Sequence, residues 1–452
     1  MHAALMRPVV TMVMTCSMLC WGAQAGAMMG APVRLEPEDL EYLGAFVFPA
    51  GDEWTYSGHA LAFRADGDPA GPADGYPGSL YAAAHAQQDL VGEMTIPVPV
   101  ISNDLASLPV ATVLQAPADV TGGLLAATCA ACATCDCDAW DVSGLEYLDD
   151  RDGLGGVDRI VWNIHDWYNV GGEDLCSLGW SLPDMSAPAG VWHIGPRPNT
   201  TYPQVFHNGK TSDYLLLAPE SFADANLGSR RLIAGYHRES GSPGGSQGPT
   251  FYATAPWTDG TPPSPGQDLD ALALVYYPWV LACTNNDFSQ CAFPGYRVDD
   301  DWGGAAWVEA GGRHGLIVFG LKGLGDNCYG DPGVECPSPA CDPYRGWHSD
   351  PYQPQALLYD PAELAEVVAG TREPWEALPY ATLDLTPWVL DPACAHLLGV
   401  AYDAVDRLIY VAESSAGDGG ETAVHVWRVL GPIFSDGFET GDLTAWSSSA
   451  PL

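Results

Sequence analysis

Short apolar runs punctuated by Gly, Pro, Asp and Asn recur along most of the chain, and no sustained 3.6-residue periodicity interrupts them. That pattern predicts an all-β fold. The runs fall into sets of four. The first set is 59–63, 79–85, 91–96 and 111–115, and the second is 144–148, 159–165, a short run near 178–180, and 190–194. The third is 214–217, 231–237, 250–254 and 272–276, and the fourth is 305–308, 315–320, 355–359 and 380–385. A fifth set, 398–402, 407–412 and 423–427, lacks one member, and the run 40–48 near the start of the chain supplies it. One helix is predicted over 360–370, with Asp360 as N-cap, Pro361 in the first turn and Gly370 as the stop.

Four-strand sets repeated along a chain describe a β-propeller, here five-bladed with four strands per blade. The N-terminal strand closing the last blade removes a sheet edge. Gly58, Gly144, Gly303 and Gly399 stand just before or within four of the first strands. Strands crowd the axis there, and Gly permits close backbone approach. A six-bladed ring with two blades merged, and a pair of β-sandwiches, are the competing architectures.

The two ends fall outside the repeat. Arg7, an uncharged run to Gly22 and the small residues Ala23-Gln24-Ala25 have the layout of a secretory signal. Residues 1–27 are therefore read as a signal peptide, 33–431 as the propeller and 432–452 as a C-terminal tail. The apolar run is too short to be read as a membrane span, so a secreted or cell-surface monomer is expected. Lys and Arg total 17 against 57 Asp and Glu, a formal net charge of -40. Such a field repels phosphate backbones and anionic membranes; it excludes nucleic acid as a partner and leaves neutral or cationic ligands.

Export also turns cysteines toward disulfides. Cys129, Cys132, Cys135 and Cys137 read as a tied loop, Cys283 with Cys291 and pairs among Cys328, Cys336 and Cys341 as further staples, with Cys176 and Cys394 unassigned. A metal knot is the alternative for the first group.

In an up-and-down blade, the start of the first strand and the end of the second share one edge. The second strands end at His85, His165, His237, Lys322 and Glu413, one polar group per blade. His59, Asp141, Asp213, Asp301 and Trp302 precede or open first strands at the same face, and Ser246 lies at its rim. Three imidazoles, His85, His165 and His237, with carboxylates nearby, would suit a divalent transition metal. Strand-end histidines bonded to neighbouring loops are the plainer reading. Asp141, Asp213 and Asp301 would serve a glycoside hydrolase, or simply turn the chain. The run Gly244-Gly-Ser-Gln-Gly248 matches G-x-S-x-G but joins two strands, so it is not a nucleophile elbow. The Asp-Gly hairpins at 66–75 and 150–158 read as turns rather than calcium loops.

Phe434-Ser-Asp-Gly-Phe-Glu-Thr-Gly-Asp-Leu-Thr-Ala-Trp446-Ser is similar to a short DGFESGDxSxWS tail that ends many unrelated exported bacterial proteins. The stretches Trp302-Gly-Gly-Ala-Ala-Trp307, Leu357-Leu-Tyr-Asp-Pro361 and Val424-His-Val-Trp-Arg428 resemble exported bacterial five-bladed propellers of unassigned function. That resemblance carries no active site. The leading expectation is a ligand-binding propeller that recognises a small molecule or glycan at its axial mouth. The alternatives are a metal-assisted glycan lyase or hydrolase at that face, and a structural cell-surface protein.

Overall fold

The expected sets of four become five sheets. The computed structural model describes residues 33–131, 140–149, 156–166, 175–197, 210–237, 248–258, 260–277, 297–337 and 345–431. Blade 1 is Leu61–Arg64, Ser79–Ala83, Val91–Thr95 and Val113–Ala118, paired antiparallel in that order. Blade 2 is Trp140–Leu148, Arg159–Asp166, Leu178–Ser181 and Ala189–Ile194. Blade 3 is Leu215–Leu217, Leu232–Ala234, Phe251–Thr254 and Ala271–Val275. Blade 4 is Asp301–Ala310, Arg313–Gly323, Tyr352–Tyr359 and Ala381–Asp384. Blade 5 is His396–Asp403, Leu408–Ser414 and Ala423–Val429, and Leu40–Val47 is its fourth strand, running from Leu40 opposite Val429 to Val47 opposite Ala423.

The core shows why the ring has five members. Apolar residues alternate along each strand, so each blade has two greasy faces, and each face is buried against the next blade. Trp162 and Val142 of blade 2 pack on Ala62 and Tyr81 of blade 1, and Val161 and Trp180, on the other face of blade 2, pack on Leu215 and Leu232 of blade 3. Ile233 and Phe251 meet Trp302 and Val318 of blade 4; Ile317 and Phe319 meet Ile409 and Trp427 of blade 5. Tyr410 and Val424 then meet Leu61 and Leu80 of blade 1, which closes the circle. Five interblade cores joined end to end leave no place for a sixth blade or for two separate sandwiches.

Several local features were not legible beforehand. Asp268–Leu269 adds a parallel strand outside blade 2, and Val33–Arg34 pairs in parallel with Arg313–His314. A helix at Leu124–Ala131 lies between blades 1 and 2, while the expected helix spans Pro361–Val368, with the Asp360 carboxylate accepting from Ala362 N–H at 2.9 Å. The second strand of blade 3 stops at Ala234 instead of reaching His237, whose backbone N–H is taken by the Asp213 carboxylate at 2.5 Å. No helix among the described residues is long and apolar enough to cross a membrane.

Candidate functional site

The five first strands stand around the axis, each in contact with the two beside it. Close approach depends on the glycines. A Cβ on Gly144 would lie 2.1 Å from the Asp213 carbonyl oxygen of blade 3, and one on Gly303 would lie 2.1 Å from the Leu397 carbonyl oxygen of blade 5. Gly399 N–H donates to Gly58 O at 2.8 Å, tying blade 5 to blade 1. In three first strands the pairing register slips just past the mouth, between Val142 and Gly144, Asp301 and Gly304, and Leu397 and Val400. Such bulges sharpen the local twist and re-aim the neighbouring side chain.

The residues at the starts of these strands, or within two positions before them, are His59, Asp141, Asp213, Asp301 and His396. His59 feels the charges of Asp141 from blade 2, His237 from blade 3, Asp301 from blade 4 and His396 from blade 5. Burial pushes its pKa below the usual histidine value; Asp141 and Asp301 oppose that push, and His237 and His396 add to it. His59 Nδ1 is buried and makes no hydrogen bond, although the residue as a whole is partly exposed.

Behind this mouth lies a buried imidazole–carboxylate pair. His165 Nδ1 is 2.7 Å from Asp213 Oδ1 and 3.0 Å from Ser212 Oγ, and both charged side chains are 1% exposed. Burial disfavours a charged His165, but Asp213 outweighs it with help from Asp141 and Asp166, so the pKa is raised. Asn163 Nδ2 clips the segment in place by donating to Thr211 O at 2.7 Å and Asp213 O at 3.0 Å. Nearer the opening, His237 Nε2 pairs with Asp301 Oδ1, both 13% exposed, and Trp302 N–H donates to His237 O at 3.3 Å. Ser143 Oγ donates to Asp141 Oδ1.

Other expected site residues sit differently. Lys322 Nζ holds both oxygens of Asp300, at 2.6 and 2.8 Å, and burial, opposed by Lys322, pushes the Asp300 carboxyl up to about 7. Glu413 is fully buried and accepts from His425 Nε2, Leu390 N–H and Asp391 N–H. Trp302 is 2% exposed and packs in the apolar core shared by blades 3 and 4. His85 lies past its strand with its ring edge-on to Tyr56, centroids 5.8 Å apart. His85, His165 and His237 do not form one donor set, and no group of three His, Cys, Asp or Glu among the described residues has the spacing of a metal site.

His396 was missed because the apolar run was read from Leu398. A signal existed, since His396 precedes Gly399 by three positions, as Asp141 precedes Gly144. Asp66, Asp68 and Asp74 serve their hairpin, bonding Arg64 Nε, Ala70 N–H and Tyr76 N–H. Cys328 and Cys336 form a disulfide, and Cys129 is disulfide-bonded. The expected signal and tail, Ser246, Cys132, Cys135, Cys137, Cys283, Cys291 and Cys341 lie outside the described residues. No protein-family model and no curated protein matches the chain, so the site stands on its own geometry.

Proposed function

We propose that this protein is an exported ligand-binding propeller whose site is the axial mouth, and that it takes a polar ligand that is neutral or cationic, a glycan first among the neutral ones. The observation that carries the reading is that ionisable groups from the other four blades, Asp141, His237, Asp301 and His396, act electrostatically on His59 of blade 1. A packed propeller has no structural need to gather them at its axis, and convergent polar groups in a concavity mark a binding site. The Cys328–Cys336 disulfide supports an oxidising, extracytoplasmic location.

Saturation-transfer NMR tests the proposal, with neutral glycans and small cations as probes. A probe that binds the parent and loses at least about tenfold in affinity to His59→Ala supports it. Equal binding by parent and variant, or silence with every probe at millimolar concentration, refutes it. The partly exposed His237–Asp301 pair favours a second reading, acid–base cleavage of such a ligand. Product formation that disappears in Asp301→Asn separates the enzyme from the binding module.

A further inference from the structure

Three loops meet on the mouth side of the seam between blades 5 and 1. Residues 48–60 lead from the closing strand into the first strand of blade 1, 84–90 join the second and third strands of blade 1, and 415–422 join those of blade 5. Strand direction alternates within a blade, so all three loops turn at the edge where the first strands begin. Tyr56 stands at their junction, three positions before His59. Its N–H donates to Gly420 O at 2.7 Å, and its carbonyl accepts from Ala86 N–H at 3.3 Å. Between these two bonds its φ is +51°, a left-handed conformation that is strained for a bulky side chain. Strain of this kind persists where the surroundings over-determine it, and it clusters at ligand clamps.

The ring is set as firmly as the backbone. A Cβ on Gly420 would lie 2.8 Å from Cε1 and Cζ of Tyr56 and 3.0 Å from Cδ1. Three neighbouring ring carbons at nearly equal distance put Gly420 under the face of the ring rather than at its edge. Tyr56 is still 50% exposed, so the opposite face is the one open to a ligand. The His85 ring meets it at 71°, with centroids 5.8 Å apart, and the Glu421 carboxylate accepts from Gly419 N–H at 3.0 Å, on the loop that carries Gly420. Strain that holds an exposed ring does nothing for the core.

We propose that Tyr56 is the stacking platform of the axial mouth and that its ligand is a neutral pyranoside, laid with its C–H face on the open face of the ring, while His85 and Glu421 supply hydrogen-bonding groups for the hydroxyls. The inference rests on the mouth being a ligand site, and deepens that reading by naming the ligand class and the residue that recognises it. The negative face of an aromatic ring attracts C–H groups, and covering it removes apolar surface from water. Quaternary ammonium ligands are also drawn to ring faces, but their sites are cages of several rings. One tyrosine face with an imidazole set across it does not make a cage.

Saturation-transfer NMR and competition titration with methyl β-galactoside and methyl β-glucoside test this on the parent, Tyr56→Phe, Tyr56→Asn, Tyr56→Gly and His59→Ala. Asn and Gly adopt the left-handed conformation readily, so these two variants remove the ring without adding strain. Both should melt at or above the parent temperature and bind at least about tenfold more weakly, whereas Tyr56→Phe should stay within about threefold of the parent. The C–H protons of the bound sugar should shift upfield on the parent and not on Tyr56→Asn. Binding by Tyr56→Asn and Tyr56→Gly equal to the parent's, with His59→Ala weakened, overturns the platform and leaves the axial reading standing. A loss in Tyr56→Phe as large as in Tyr56→Asn also overturns it, since the hydroxyl and not the ring would then matter. Binding of tetramethylammonium with no glycoside binding refutes the pyranoside and keeps the mouth as a ligand site. Weakening by Tyr56→Asn but not by His59→Ala supports the stacking ring and refutes the axial reading. Silence with every probe on the parent refutes both.

Discussion

The seam that closes the ring contains a buried polar chain whose removal should be measurable. Glu413 accepts from Leu390 N–H at 2.8 Å, Asp391 N–H at 2.8 Å and His425 Nε2 at 2.7 Å, and His425 Nδ1 is 2.9 Å from the Tyr42 hydroxyl on the N-terminal strand. Both Glu413 and His425 are 0% exposed. Substituting Glu413→Gln keeps the shape and removes the charge. One carboxylate oxygen becomes an NH₂ that points at a backbone donor, leaving that donor buried and unpaired at about 1–3 kcal/mol. The two bonds that remain lose charge assistance, at roughly 1 kcal/mol each. The expected loss is therefore about 3–5 kcal/mol. With roughly 2 cal/mol/K per residue of unfolding entropy over about 400 residues, 1 kcal/mol corresponds to about 1.2 °C, so the melting temperature should fall by about 4–6 °C. Burial works against ionised Glu413, but His425 and the two N–H groups hold its pKa below the ordinary glutamate value. A lowered carboxylate pKa gives stability that is present above the unfolded value, near 4.5, and lost as pH falls through the folded one. The deficit of the variant should accordingly shrink in acid. Calorimetry at pH 7 and pH 4, with hydrogen exchange of residues 40–47, checks both statements. A shift under about 1 °C at pH 7, or a deficit that grows in acid, would refute the reasoning.

Gly144→Ala should cost about 3 kcal/mol by driving a methyl into the Asp213 carbonyl, and should weaken ligand binding by moving that residue; denaturant unfolding beside a binding titration reads both. Asp213→Asn should lower the His165 pKa, followed by NMR. Because that pKa is raised, the pair stabilises the fold below the unfolded value near 6.5 and loses its contribution as pH rises through the folded one, so the variant's deficit should be largest in mild acid. Replacing both Cys328 and Cys336 with Ser opens a loop of sequence separation 8 and should cost about 2.5 kcal/mol by loop entropy, with the mouth unaffected.

The architecture was legible because packing repeats it. Trp162, Trp307 and Trp427 sit on strands that must bury both faces, and their apolar runs recur whatever the loops do. Gly144, Gly303 and Gly399 were legible for the same reason, since the crowding of the axis acts alike on every blade. The closing strand could be placed at Leu40 because blade 5 was short of a member. What remained hidden depended on contacts far apart in sequence. The parallel strand Asp268–Leu269 is two residues long and carries no periodic signal, and the blade 3 second strand ends at Ala234, with the His237 N–H beyond it taken by a carboxylate, Asp213, that is distant in sequence.

The site was half legible, and pleat parity accounts for the other half. Successive side chains on a strand point to opposite faces, so the end of a second strand can aim at the blade before it or the blade after it, depending on one residue of register. Val161 packs toward blade 3, and His165, four positions on, points the same way and reaches Asp213. Leu316 and Val318 of blade 4 pack back toward blade 3, and Lys322 shares their parity; Ile409 and Val411 of blade 5 pack back toward blade 4, and Glu413 shares theirs. Counting to strand ends thus grouped residues that lie on opposite faces of their blades. In the first strands of blades 2, 4 and 5 a bulge beside Gly144, Gly303 or Gly399 shifts the register between the opening residue and the rest of the strand, which keeps its interblade register. The bulge separates the two demands on one strand, packing along its length and chemistry at its tip. Asp141, Asp301 and His396 are therefore the positions where residue type is released from the needs of the core.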